Sequence, residues 1–243
     1  DTGVLPMWIA DMDFKAPQAV SDLLKVRSDL GDFGYTDAPN ELRDVIVERL
    51  KVSYDWTVER NEILFIPGVV SGLNTVCRAW VKPDESIITA APIYPPFLEA
   101  PATNGRELIK IDTDPVGGGY HYPLFALSNA ITSKSRLLLL CNPFNPIGRV
   151  LSFSELREIV DICLDHHLLI CSDEIHCDLV FDGRTHIPLA KVDERIEQSL
   201  VTLISPGKTY NIAGIGGGIA IIKNKSLREK FLEASHGLSL IHI

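Results

Sequence analysis

The sequence has 243 residues, of which 46% are hydrophobic, so it can bury a substantial core in one large domain or two smaller ones. Its formal net charge is −9 and it contains no basic run, which argues against a nucleic-acid partner. No apolar stretch approaches the length of about 18 residues that a membrane helix needs, and the first ten residues lack the basic region followed by an apolar one that is typical of a signal peptide. Five cysteines without metal-like spacing indicate a reduced, cytoplasmic setting and no metal site.

Seven short β-like runs recur along the chain and alternate with helical patterns. They span residues 62–67, 86–91, 107–111, 136–141, 168–173, 200–205 and 217–223. Several runs are almost continuously apolar, which is typical of strands covered on both faces of a mostly parallel sheet. We therefore predict an α/β fold with a mostly parallel seven-stranded sheet and helices on both faces.

Three helices are predicted from pattern. Residues 41–50 and 69–80 are two of them, and the clearest begins at Ser152. Ser152 and Glu155 have the spacing of a capping box, in which hydroxyl and carboxylate satisfy free N–H groups of the first turn. The segment 115–123 is rich in Gly and Pro and is predicted to be a loop.

Polar residues follow five of the predicted strands, at the sheet edge where α/β folds bind ligands. Singly, each has a simpler explanation: Asp173 as a helix cap or ion-pair partner, and Lys208 as a surface residue. Together, a lysine, an aspartate, an aromatic ring, an asparagine and a helix N-terminus are the parts that hold pyridoxal phosphate. A dinucleotide site at 214–218 is excluded, because the glycine pattern fails at Ile219.

Seven segments, in order, resemble fold-type I pyridoxal-phosphate enzymes of the class I/II aminotransferase superfamily. They read "MWIADMDF", "FGYT", "GVVSGLN", "PIYPPF", "NPFNPIGRV", "SDEIHCDLVF" and "SPGKTYNIAG". Of these, "ADMDF" and "DEIH" are similar to the cystathionine beta-lyase branch, the C–S lyases of the MalY and PatB type. The resemblance covers almost the whole chain and implies the large domain of a pyridoxal-phosphate-dependent transferase.

The resemblance implies catalytic roles for three residues that also bind the cofactor. Lys208 matches the Schiff-base lysine, Asp173 the partner of the pyridine nitrogen, and Tyr94 the residue that stacks on the ring. Asn145 matches the asparagine near the ring oxygen and the substrate. His176 stands where many relatives carry a tyrosine that contacts this oxygen, and members of the branch carry histidine there.

The resemblance also implies sites for the phosphate and the substrate. Val69 and Val70 match positions whose backbone N–H groups take the phosphate, and Ser205 matches a phosphate-binding hydroxyl. Tyr35 matches a tyrosine that reaches the phosphate of the neighbouring subunit, which implies a homodimer with shared active sites. Ala10 matches a backbone position near the carboxylate of an amino-acid substrate.

Two positions depart from the wider superfamily, and part of the family's length is expected to be missing. Gly207 replaces the usual serine before the lysine, and Gly216 replaces a phosphate-binding arginine. Residues 1–40 are predicted to contribute to the active site and the dimer, and residues 41–243 to form the large cofactor domain. The small C-terminal domain, with its carboxylate-binding arginine, is expected to lie beyond this chain, and 238–243 to be non-native.

The leading functional expectation is a C–S beta-lyase that converts cystathionine or a related cysteine S-conjugate to pyruvate, ammonia and a thiol. The first alternative is an aminotransferase acting on an amino acid and a 2-oxo acid, because both reactions need the same residues. A second alternative is a regulatory protein that binds the cofactor without turnover.

Overall fold

A computed structural model describes residues 3–5, 7, 9–113, 115–116 and 119–237 of the chain. The segment 238–243, predicted to be non-native, lies outside the described residues. None of the helices in the described part combines the length and the apolar character that crossing a membrane requires.

In the described part of the chain, seven strands form one sheet in the order β1-β9-β8-β7-β6-β2-β3. They are β1 (Ile63–Ile66), β2 (Ser86–Ala91), β3 (Glu107–Asp112), β6 (Ser135–Cys141), β7 (Leu169–Asp173), β8 (Leu200–Ile204) and β9 (Gly218–Ile221), while β4 (Pro115–Val116) and β5 (Gly119–Tyr120) pair separately. Strands β3, β2, β6, β7 and β8 run parallel, and β9 is antiparallel to both of its neighbours. The mostly parallel seven-stranded sheet is therefore confirmed.

Helices cover the sheet and leave its central strands buried. They are α1 (Gln18–Leu30), α2 (Asn40–Tyr54), α3 (Val69–Trp80), α4 (Pro96–Thr103), α5 (Leu124–Ala130), α6 (Phe153–Asp165), α7 (Pro206–Thr209) and α8 (Lys225–Ser235). Helix α3 packs on α4 and α8, whereas α5 packs on α6. All six residues of β2 are buried, so this strand is covered on both faces, as its continuous apolar run predicts.

Local sequence signals account for several element boundaries. Helix α6 begins after Ser152, whose side chain accepts from the backbone N–H of Glu155 in a complete capping box, so this prediction is confirmed. The predicted loop 115–123 differs from the structure, because β4 and β5 form a short antiparallel ladder there. Two-residue strands are too short for a recognisable alternation of polar and apolar residues.

The N-terminal segment, residues 3–35, lies mostly on the outside of this fold. Helix α1 has no buried residue. Exposed large apolar side chains of the segment are Val4, Leu5, Met7, Ile9, Phe14, Leu23, Leu24, Val26, Leu30, Phe33 and Tyr35. So large a set of exposed apolar side chains is typical of a surface that another protein segment covers.

Candidate active site

A cavity of about 320 Å³ opens at the carboxyl ends of β6, β7 and β8. Nine of the ten residues that the sequence singled out line it: Ala10, Val69, Val70, Tyr94, Asn145, Asp173, His176, Ser205 and Lys208. Tyr35 is not among the lining residues, and 84% of the residue's surface is exposed. Its expected role involves a neighbouring subunit and stays a prediction.

Strand pairing brings the carboxylate and the lysine to the same edge of the sheet. Asp173, the last residue of β7, pairs in parallel register with Leu203 of β8. Ser205 then caps α7, since its hydroxyl accepts from the N–H of Gly207 at 3.0 Å. The same hydroxyl donates to the carbonyl oxygen of Gly217 at 2.8 Å. Lys208 therefore follows β8 after a tight, side-chain-capped turn and faces the cavity beside Asp173.

Asp173 is buried, with 4% of the residue's surface exposed. Burial is the main cause that raises its pKa to about 7, and the negative charge of Glu174 adds to the effect. The backbone N–H of Ile175, 3.0 Å from Oδ1, and the positive charge of Lys208 act in the opposite direction. Within the described residues no side chain forms a salt bridge with Asp173. The ionised carboxylate would therefore be stabilised by a positive charge placed inside the cavity.

Tyr94, Asn145 and His176 form part of the same wall. The backbone N–H of Tyr94 donates to the carbonyl oxygen of Asn145 at 3.1 Å, which ties together the loops that follow β2 and β6. His176 is partly buried, and burial together with the nearby Lys208 charge lowers its pKa. A neutral imidazole can donate or accept a hydrogen bond at the cavity without adding charge.

The N-terminus of α3 supplies the other end of the cavity. Its cap is Gly68, and among the residues that the structure describes no side chain caps the first free N–H groups of the helix. The glycine run 216–218 folds against it, and the N–H of Gly217 donates to the carbonyl oxygen of Pro67 at 2.9 Å. A Cβ atom added to Gly218 would lie 3.2 Å from the backbone nitrogen of Val69. The glycines thus allow the backbone to approach the helix end closely.

Asn211, which no sequence pattern singles out, holds the N-terminal segment at the cavity by hydrogen bonds. Its side chain accepts from the N–H of Met12 at 3.2 Å and donates to the carbonyl oxygens of Met12 and Phe14 at 2.9 and 2.7 Å. These contacts place Ala10 at the cavity although it is 198 positions from Lys208 in the chain. The only sequence signal was that "ADMDF" and "KTYNIAG" both belong to the recognised motifs.

These features fit a ligand that carries a cationic ring nitrogen at one end and a phosphate at the other. The buried Asp173 carboxylate suits the positive charge. The uncapped helix N-terminus suits the anion, because its N–H groups and the helix dipole both favour negative charge. Within the described residues, no group of three or more His, Cys, Asp or Glu side chains could hold a metal ion.

Comparison with known proteins assigns the chain to a family. Residues 11–239 match the family described as aminotransferase class I and II. The chain is 36% identical over 231 residues to cystathionine beta-lyase PatB of Bacillus subtilis (strain 168), covering 95% of this chain and 60% of that protein. This chain therefore spans 60% of the length of that relative.

Solved structures extend the similarity to three dimensions. The crystal structure of OvoB superposes with a TM-score of 0.93 and 39% identity, covering 97% of this chain and 62% of that chain. The crystal structure of cystalysin from Treponema denticola, which contains pyridoxal 5′-phosphate, has a TM-score of 0.92 and 33% identity, covering 96% and 60%. The chain therefore belongs to the aminotransferase class I and II family.

Proposed function

We propose that the protein is a pyridoxal-phosphate-dependent C–S beta-lyase that acts on cystathionine or a related cysteine S-conjugate. The observation that supports this most directly is the single cavity in which Lys208, the buried Asp173 carboxylate and the N-terminus of α3 meet. The similarity to PatB, described as a cystathionine beta-lyase, favours this reaction over others of the family.

Each end of the cavity would hold a different part of the cofactor. Lys208 would bind the aldehyde carbon covalently, and Asp173 would keep the ring nitrogen protonated. The N–H groups of Val69 and Val70 would bind the phosphate, with Ser205 beside them. When bound, pyridoxal phosphate supplies an electron sink that stabilises negative charge on the substrate Cα.

The side chains of this protein would perform the proton transfer and orient the reactants. The Lys208 amine, once free, takes the Cα proton of the substrate as general base. Tyr94 and Asn145 position the ring and the substrate, and Ala10 lies near the substrate carboxylate. Loss of that proton with departure of the β-thiolate, followed by hydrolysis, yields a thiol, pyruvate and ammonia.

Transamination is the second candidate, because the name of the family and the residues of the cavity fit it equally. It starts with the same proton removal by Lys208, but no thiol leaves the substrate, and the product is a 2-oxo acid. Two assays separate the reactions: pyruvate release from cystathionine, and amino-group transfer to 2-oxoglutarate. Transfer without pyruvate release would replace the lyase assignment by the aminotransferase one.

We further propose that the protein acts as a homodimer in which Tyr35 reaches the phosphate site of the partner. The exposed apolar side chains of the N-terminal segment support this, because a partner subunit packed against the segment would bury them. The cytoplasmic location stays a prediction.

A pair of lysine variants tests the core of the proposal. Lys208→Ala should abolish the visible absorbance of the lysine-bound cofactor and reduce pyruvate release by several orders of magnitude, because it removes both attachment and base. Lys225→Ala is the matched control, since Lys225 is exposed on α8. Full lyase activity in Lys208→Ala, or equal losses in both variants, would refute the assignment.

A further inference from the structure

The turn that follows β7 separates two cavities. Its residues Asp173 and His176 line the 320 Å³ cavity described above. Asp178, two positions after His176, instead lines a larger, mostly apolar cavity of about 940 Å³ beside α2. The turn is closed by backbone hydrogen bonds of 2.9 Å from Cys177 to Glu174 and from Leu179 to His176. Asp178 and the cavity residue His176 therefore belong to the same short, hydrogen-bonded turn, so a change in the position of Asp178 would also move His176.

Three side chains donate hydrogen bonds to the Asp178 carboxylate. Thr209 Oγ1 donates to Oδ2 at 2.7 Å, and Tyr54 Oη donates to Oδ1 at 2.9 Å. The Arg49 guanidinium lies 2.6 Å from Oδ1. Partial burial acts to raise the pKa of Asp178, but these donors together hold it below its ordinary value. The carboxylate thus links α2, the β7 turn and α7.

The donor Thr209 is the residue that directly follows Lys208. Helix α7 has only four residues, and a helix this short has little stability of its own. Its backbone is held by hydrogen bonds from Tyr210 to Pro206 and from Ile212 to Gly207, both 3.0 Å. The hydrogen bond from Thr209 to an ionised carboxylate therefore adds a charge-assisted side-chain contact that holds the lysine-bearing turn.

We propose that Asp178 is a positioning residue that, through Thr209, sets the distance between Lys208 and the Asp173–His176 side of the cavity. This role rests on the proposed function of Lys208, but the connection itself is a property of the cofactor-free protein. Neither Asp178 nor Thr209 lines the cavity, so neither would touch the cofactor or the substrate. Their effect is on where the lysine amine lies.

Thr209→Val removes the hydroxyl and keeps the shape of the side chain, and Thr209→Ser keeps the hydroxyl. Thr202→Val is the matched control, since Thr202 is buried and its hydroxyl has no partner among the described residues. In the cofactor-free protein, we expect Thr209→Val to speed hydrogen exchange at the amides of Tyr210 and Ile212 about tenfold, with Thr209→Ser and the control close to wild type.

A second measurement is the dissociation constant for pyridoxal phosphate, which should rise about tenfold in Thr209→Val and recover in Thr209→Ser. Combining Thr209→Val with Asp178→Asn should cost no more than the larger single effect, because both changes remove the same interaction. Unchanged exchange and unchanged affinity in Thr209→Val, with only a lower unfolding midpoint, would overturn the positioning role. If Thr209→Val speeds exchange but the wild-type protein binds no pyridoxal phosphate, the result would support the Thr209–Asp178 connection and refute the proposed function.

Discussion

Replacing Asp173 by asparagine in the cofactor-free protein should remove part of the pH dependence of its stability. The wild-type carboxyl is almost fully buried, and its pKa is raised from the ordinary 3.8 to about 7. A raised folded-state pKa means that the folded protein holds this proton more tightly than the unfolded chain does. Its contribution to stability is thus complete below the unfolded pKa of 3.8 and is lost as the pH rises through 7.

The size of the effect follows from the pKa difference of about 3 between the two states. At about 1.4 kcal/mol for each pKa unit, complete ionisation of Asp173 costs the folded state about 4 kcal/mol. Of this loss of unfolding free energy, about 2 to 3 kcal/mol occurs between pH 5 and pH 8. Asp173→Asn carries no ionisable carboxyl and should lack this loss. The free energy of unfolding of the variant should therefore rise relative to that of the wild type as the pH rises.

Denaturant unfolding at pH 5, 6, 7 and 8 measures the difference between wild type and Asp173→Asn at each pH. Asp165→Asn, at an exposed side chain on α6, is the matched control. Saturating pyridoxal phosphate should remove most of the wild-type loss, because a cationic ring nitrogen would pair with the carboxylate. A constant difference between wild type and Asp173→Asn from pH 5 to pH 8 would refute the argument from burial.

Two further substitutions test the local packing. Gly218→Ala should destabilise the protein by about 1–3 kcal/mol and weaken cofactor binding, because its Cβ would lie 3.2 Å from the backbone of Gly68 and Val69. Gly214→Ala, with no atom within 4 Å of the added Cβ, is its control, and equal losses in both variants would contradict this reasoning. Ser152→Ala should lower the unfolding free energy by about 1 kcal/mol through loss of the α6 cap, and an unchanged thermal midpoint would argue against the cap.

The sheet could be predicted because its strands are buried on both faces and therefore read as apolar runs. The direction of β9 could not, because parallel and antiparallel strands carry the same local pattern and only the ladder to β8 distinguishes them. Helix α1 was not predicted either, although Leu23, Val26 and Leu30 recur along it at helical spacing, and in this fold that apolar face is exposed rather than packed on the sheet.

In the candidate site, too, some residues could be predicted from the sequence and others could not. Asp173 and Lys208 could be singled out from the sequence because one ends and the other follows an apolar strand, at the edge where such folds bind ligands. The contact of Asn211 with Met12 joins residues 199 positions apart, and no local pattern encodes it. The bond from Thr209 to Asp178 was hidden for the same reason, because its partners belong to different turns.

The parallel register of β7 and β8 has a consequence for how such a protein can change over evolutionary time. The spacing of Asp173 and Lys208 depends on buried neighbours such as Ile170, Cys171 and Val201, which take no part in chemistry. Substitutions elsewhere in the cavity wall can then change what the cavity binds while these two groups stay in place. The residues that set the spacing of Asp173 and Lys208 are thus separate from those that line the rest of the cavity, and the two sets can change independently.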